Sequence, residues 1–542
     1  MPFTRGAGAG SPGRARRPVD EQPPDVVSRA IEDFFARFPH AVVVEEGRVI
    51  FDMRSAKYSI SKEHDRCTVQ IWSEDANLVR RVVAAEERKG SLRLSVLRFG
   101  QTKPQTLEIV AERDRRTPST REATRVKYLR VLERVLVRAF PEWKPEGLRT
   151  AMDLEKSFGP AYARGSLVQG QRAWAVIAVN PEETLSTIDG ILTIGILWLE
   201  HCRSTGDGRR VWQGLKVIVP RGAGILTASR MAWLNGRAAQ WELWELDGGT
   251  EEFEQREAAD TGNVTTRLVH APNEKAVRER FADAAARVMS LVPESMRPRV
   301  ESIVGSGAEI AFLLHGLEFA RIRAGYAGNS FNVREEITFG AGPSETALTA
   351  DNEDALRELV ERLFERRHAE GDRRDPLFRM QPERWLESVL RQDLEPFDAH
   401  LDPSHVYTQV PAFVAGDRGM LDLLGVLRDG RLAVIELKAD EDLHLALQGL
   451  DYWIRVRWHH LRTEAGVPGE LQRVGYFGGI VLARQSPKLY LVAPALRVHP
   501  ATEVVLRYLS PEVDWELVAL DERWRKKVKA VWRKRSSDPR DR

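Results

Sequence analysis

The chain has 542 residues, with 81 Lys and Arg against 79 Asp and Glu and a formal charge of +2. That length predicts about three domains with sizeable cores, and the near balance of charge excludes a uniformly basic nucleic-acid-coating protein, so any such surface must be local. The only cysteines, Cys67 and Cys202, give no disulfide framework or zinc site and suit a reducing cytosol, so the expected location is cytoplasmic.

Residues 1–25 are rich in Gly, Pro and Arg, have little to bury, and are expected to be a disordered tail without a secretory signal. Residues 26–115 predict an α+β module, a short helix followed by strands such as 68–72 and 92–97. Within it, Trp72 and the Arg80-Arg81 pair could touch nucleic acid, or be a packed indole and a solvated pair. Residues 120–250 predict an α/β domain with a helix at 126–140 and strands at 172–180, 215–219 and 240–246. Its apolar stretch 188–199 is too short to span a bilayer and contains Asp189, so it reads as a buried helix and no membrane is expected as a partner. The acidic stretch 248–260 reads as a linker. Residues 261–370 predict a mixed α/β connecting region, with helices at 274–292, strands near 309–322 and a solvated charged helix at 352–367.

The segment 380–500 carries the chemistry. After a helix at 382–394, two apolar strands, 420–427 and 432–437, flank Asp429-Gly430, a strong hairpin signal because glycine tolerates the positive φ of a tight turn. Alternate residues share a strand face, so Glu436 and Lys438 project together and Asp422 can face them from the partner strand. Two carboxylates in an apolar sheet are costly unless paired, and their natural partner is a hard divalent cation, Mg²⁺ or Mn²⁺, with the Leu437 main-chain carbonyl as a further oxygen. Lys438 would then orient or help deprotonate a bound water and offset charge on a phosphate oxygen. A helix follows over 441–461, with an apolar stripe Leu443, Leu447, Leu450, Ile454 and Trp458. Beside it runs a polar stripe, Gln448, Tyr452, Arg455 and His459, able to contact a phosphate, a base or a metal-bound water. Residues 501–542 predict an extension with a basic helix at 522–535, either phosphate-binding or simply docked by Trp524, Val528, Val531 and Trp532.

Gly419 to Asp422, then Glu436-Leu437-Lys438, then Gln448 and Tyr452 resemble the PD-(D/E)XK nuclease superfamily, in particular its RecB-like and NucS-like branches. The resemblance covers roughly 381–500. It implies a restriction-endonuclease-like α-β-β-β-α-β core with strands at 405–414, 474–482 and 489–493. It also implies a metal-ligand glutamate on the preceding helix, Glu387, with Glu383 as second choice. Asp422, Glu436 and Lys438 would be catalytic, with Gln448, Tyr452 and Arg455 positioning a DNA substrate. The alternative is a nuclease fold that binds nucleic acid without cutting, or an interaction scaffold.

A constant offset of 258 sets Ala175-Val176-Ile177 on Ala433-Val434-Ile435, Arg164 on Asp422, Ala178 on Glu436, Asn180 on Lys438 and Gly190 on Gln448. Residues 120–250 therefore read either as a degenerate second copy of the core or as a generic strand, turn and helix. No phosphate-binding Gly-x-x-x-x-Gly-Lys loop is present, so a built-in ATP-driven motor is not expected. The fold class is α/β with an α+β N-terminal module.

Overall fold

A computed structural model describes residues 21–45, 48–53, 56–63, 66–72, 77–88, 90–97, 105–111, 118–151, 158–205, 209–260, 266–305, 309–326, 333–341, 345–414, 417–462, 467 and 469–536. The tail expected at 1–25 lies outside them through residue 20, and Pro24 and Asp25 already belong to the first helix. The described residues form a mixed α/β, multidomain fold with four sheets.

The N-terminal module sets α1 (Pro24–Arg37) against seven antiparallel strands, β1–β7, between Val42 and Val110. Val27, Ile31, Phe34 and Phe35 recur at helical spacing and close one face of that sheet. Arg80 is buried on Glu45 at 3.1 Å and Arg81 pairs with Glu21, so both guanidinium groups serve the module itself.

Residues 118–256 form a second unit: α2 (Pro118–Ala139), β8 (Lys144–Arg149), β9 (Tyr162–Gln169), β10 (Arg172–Val179), α3 (Leu185–Asp189), α4 (Ile191–Thr205), β11 (Val211–Pro220), α5 (Ile225–Met231), β12 (Gln240–Leu246) and β13 (Phe253–Arg256). The sheet runs β8-β9-β10-β11-β12-β13, with β10, β11 and β12 parallel and the other pairings antiparallel. The stretch expected as a linker thus contains a strand. Phe253 stacks on Trp244 with ring centres 4.7 Å apart, an apolar contact that the surrounding acidic residues concealed.

The connecting region holds β14 (Thr266–Leu268), α6 (Glu274–Arg280), α7 (Ala282–Ser290), five antiparallel strands, β15–β19, between Val300 and Ala347, then α8 (Glu353–Arg366) and α9 (Pro376–Arg379). The remainder is α10 (Pro382–Gln392), β20 (Tyr407–Val414), β21 (Asp417–Val426), β22 (Leu432–Leu437), α11 (Leu445–Leu461), α12 (Glu470–Arg473), β23 (Lys488–Pro494), α13 (Pro500–Arg507), β24 (Trp515–Leu520) and β25 (Ala530–Arg535). Its sheet runs β14-β20-β21-β22-β23-β24-β25, with β22, β23 and β24 parallel. From α10 to β23 the main elements keep the expected α-β-β-β-α-β order.

Two expected elements differ. Residues 474–479 are turns and 480–482 are irregular, rather than a strand, because Gly475 and Gly479 take φ of 98° and 80° and Phe477 takes 54°, conformations that end an extended run. The basic helix expected at 522–535 is a turn followed by the edge strand β25, paired antiparallel with β24. Strand alternation there puts Arg533 and Arg535 on the side of Glu516, which is fully out of water and needs cations. No helix among the described residues is long and apolar enough to cross a membrane.

Candidate active site

β22 is buried along its whole length, because α11 covers one face of the sheet and α10 the other. Glu436, 1% exposed, interrupts this apolar strand, and Lys438, 9% exposed, follows its end. The β21–β22 ladder has Leu423 opposite Ile435, so one step further Asp422 stands opposite Glu436 on the same face. The Leu437 main-chain N–H donates to Asp422 Oδ2 at 2.9 Å. The carboxylate thus stands in for a ladder acceptor where the two strands part. Backbone groups alternate sides along a strand, so the Leu437 C=O faces the Asp422 side as well.

Lys438 Nζ lies 3.8 Å from Glu436 Oε1, 3.7 Å from Glu383 Oε1 and 3.6 Å from Asp442 Oδ2. Burial alone would favour the neutral amine, but Glu436, Glu383, Asp442 and Asp422 outweigh it and hold the pKa well above the ordinary lysine value. In the metal-free protein Lys438 is therefore a cation at any working pH and offers no lone pair for taking a proton.

α10 brings its two glutamates to different sides of this cluster. Glu383 reaches Lys438, whereas Glu387, the first choice from sequence, is buried on Arg384 at 2.7 Å. Burial pushes the Glu387 carboxyl up to about 7; Arg384 opposes this and the nearby Asp422 adds to it. The helix is held from behind by Arg367, whose buried guanidinium donates to the carbonyls of His315, Leu377, Met380 and Gln381 at 2.9, 2.7, 2.6 and 3.3 Å. Gly316 completes this seat, since a Cβ there would meet the Arg384 carbonyl at 2.0 Å.

On α11, Gln448 is half-buried and Tyr452 buried, and the Arg455 guanidinium lies 5.5 Å from the centre of the Tyr452 ring. Gly449 lets this helix descend onto the strand: a Cβ there would lie 3.6 Å from Glu436 Cβ and 2.4 Å from Leu491 Cδ2. His459 does not join the cluster. Its Nδ1 is 2.5 Å from Glu470 Oε2, where it ties α11 to α12, eleven residues along the helix from Gln448. Asp442 was missed from the sequence, although an acid just before a helix, here accepting from the His444 N–H at 2.7 Å, is a recognisable start signal.

Among the described residues no three Asp, Glu, His or Cys side chains converge as a ready-made metal shell. The donors present are oxygens, from Asp422, Glu436 and the Leu437 carbonyl, and they fit in type a hard cation that keeps several waters better than a zinc ion.

No protein-family model matches the chain, and no curated protein does. Among solved structures it is similar to the crystal structure of a repair endonuclease from Pyrococcus abyssi, at 12% identity over 42% of this chain and 97% of that one, with a TM-score of 0.15. At that score the likeness has no weight, and the functional reading rests on the residues of this chain.

Proposed function

We propose that the segment from α10 to β25 is a metal-dependent nuclease core that hydrolyses phosphodiester bonds in DNA. The observation that supports this most is the meeting of Asp422, Glu436 and Lys438 on one face of an otherwise apolar hairpin. Unlike Glu516, which three cations neutralise, this cluster has one ammonium facing several carboxylates, an excess of buried negative charge that apolar residues would avoid at lower cost.

Asp422, Glu436 and the Leu437 carbonyl would hold a Mg²⁺ or Mn²⁺ ion, which supplies Lewis-acid polarisation of the phosphate and a more acidic water. Lys438 would place its ammonium beside the phosphate oxygen on which charge develops. Gln448 and Tyr452 would orient the substrate from α11, and Arg455 would offer its guanidinium to a neighbouring phosphate. Glu387 or Glu383 would complete the acidic side of the site. A second reading, DNA binding without cleavage, is favoured by one observation: Lys438 already has three carboxylates within 4 Å, so its ammonium is fully paired without a metal or a phosphate.

Incubating the full chain with labelled single-stranded, duplex and branched DNA, with Mg²⁺ or Mn²⁺ or with EDTA, separates the two. The nuclease reading expects cleavage that EDTA abolishes. DNA that is bound but left intact under every metal condition supports the second reading.

A further inference from the structure

Apart from the added β14, the sheets of residues 118–256 and of the C-terminal core share strand order and the direction of every corresponding pairing. The registers also correspond. Ile177 pairs with Arg164 and Val217, and Val217 with Leu243; Glu436 stands opposite Asp422 and pairs with Leu491, and Leu491 with Leu517. Gly195 seats α4 against Ile177 and Leu215 as Gly449 seats α11 against Glu436 and Leu489. The constant offset of 258 therefore holds for Arg164 and Asp422 but slips elsewhere: Ile177, Val179, Ile194 and Trp198 are the counterparts of Glu436, Lys438, Gln448 and Tyr452.

The two halves also pack reciprocally. α13 lies on α4 and α5 lies on α11, over one shared apolar core. Asn235 N–H donates to the Tyr508 carbonyl and Ser510 N–H to the Trp233 carbonyl, both at 2.8 Å, on either side of Leu234 opposite Leu509. Arg457 lies 4.4 Å from the Trp233 ring centre, and Arg203, its counterpart, lies 5.8 Å from that of Tyr508. Each contact has its mirror, as in an isologous dimer, but within one chain. The first turns of α4 and α11 meet near this axis, with His444 Nδ1 3.0 Å from Thr193 Oγ1, so the two equivalent positions flank it.

One of them is closed. Arg164, 1% exposed, lies 4.9 Å from the Phe158 ring centre and 5.8 Å from that of Trp198, so a fixed guanidinium and two rings fill the space where the other half has its carboxylates. We infer that the chain is a pseudo-dimer that grips duplex DNA with both halves and breaks one strand per binding event. The two strands of a duplex are themselves related by two-fold axes, which a two-fold protein matches, and here one half alone has the residues for hydrolysis.

This rests on the nuclease reading, and its test keeps the two apart. Closed-circular duplex DNA, in excess over the full chain with Mn²⁺, is expected to become almost entirely nicked circles before linear molecules form. Mn²⁺ binding, titrated by electron paramagnetic resonance without DNA turnover, is expected to be lost in Asp422→Asn. Linear DNA as the first product, or cleavage confined to single-stranded circles, overturns the inference while leaving nuclease activity in place; Mn²⁺ binding undiminished in Asp422→Asn contradicts the ligand assignment on which both readings stand. A chain that cuts no DNA of any form rejects the nuclease reading itself, and the inference with it.

Discussion

Lys438→Met is expected to slow DNA cleavage by about a hundred- to a thousandfold, the usual effect of removing one preorganised group that stabilises developing charge, while DNA affinity stays near that of the wild type. Methionine keeps the unbranched stem that fills the end of β22, and Lys438 is 9% exposed, so little of the loss can come from solvent contacts. What disappears is the one positive charge shared by Glu436, Glu383 and Asp442. The metal-free variant should therefore unfold at a lower temperature, and added Mn²⁺ should restore more stability than it gives the wild type. Lys438→Arg is not expected to rescue the rate, since a planar fork cannot occupy the place of a compact ammonium. Single-turnover rates on labelled DNA, fluorescence anisotropy and thermal unfolding with and without Mn²⁺ check the three parts.

The largest expected effect on stability lies elsewhere in the same sheet. Glu516 is fully out of water on β24 and receives Lys488 Nζ at 2.7 Å, Arg533 Nη1 at 2.8 Å and Arg535 Nε at 3.2 Å. Glu516→Ala leaves those cations facing one another and should cost about 3–5 kcal/mol, the usual effect of removing one member of a buried ionic network. For a unit of this size that lowers the unfolding midpoint by about 10 °C. Burial works against the charged carboxylate, yet the hydrogen bonds from Lys488 and Arg533 prevail and hold its pKa below the ordinary value of 4.5. A depressed acid contributes stability that is complete above its unfolded pKa and is lost as pH falls through the folded one. The wild type's advantage over Glu516→Ala should thus be full at pH 7 and shrink steadily below about pH 4.5. Thermal melts of both proteins from pH 8 to pH 3 measure it, and a gap that widens in acid would contradict the assignment.

The charged hairpin was legible because its charges break apolar runs at a spacing of two and Asp429-Gly430 marks the turn; Gly430 takes φ of 85° as that turn requires. The choice between Glu383 and Glu387 was not legible, since both lie on one helical face and only Arg384 decides which is drawn away from Lys438. β25 read as a helix because Trp524, Val528, Val531 and Trp532 fit a period near 3.6, while the residue that fixes it as a strand, Glu516, lies on its partner. His459 looked like a site residue through helical spacing alone, which carries no information about how far the site extends. The second core was visible in the sequence only as a faint parallel. Loops of different length shift the offset by one at β10 and by four at α4, and the reciprocal contacts around Leu234 and Leu509 are tertiary.

Cleavage of one labelled DNA duplex by the wild type and by Glu436→Gln, side by side in Mn²⁺, decides whether the buried carboxylates of β21 and β22 serve hydrolysis. Glutamine keeps the size of the buried side chain and removes its charge. The expected result is cleavage by the wild type that EDTA abolishes and none by the variant, with both proteins folded and both binding the duplex. Equal cleavage by the two, or a wild type that binds the duplex and leaves it intact, would contradict it.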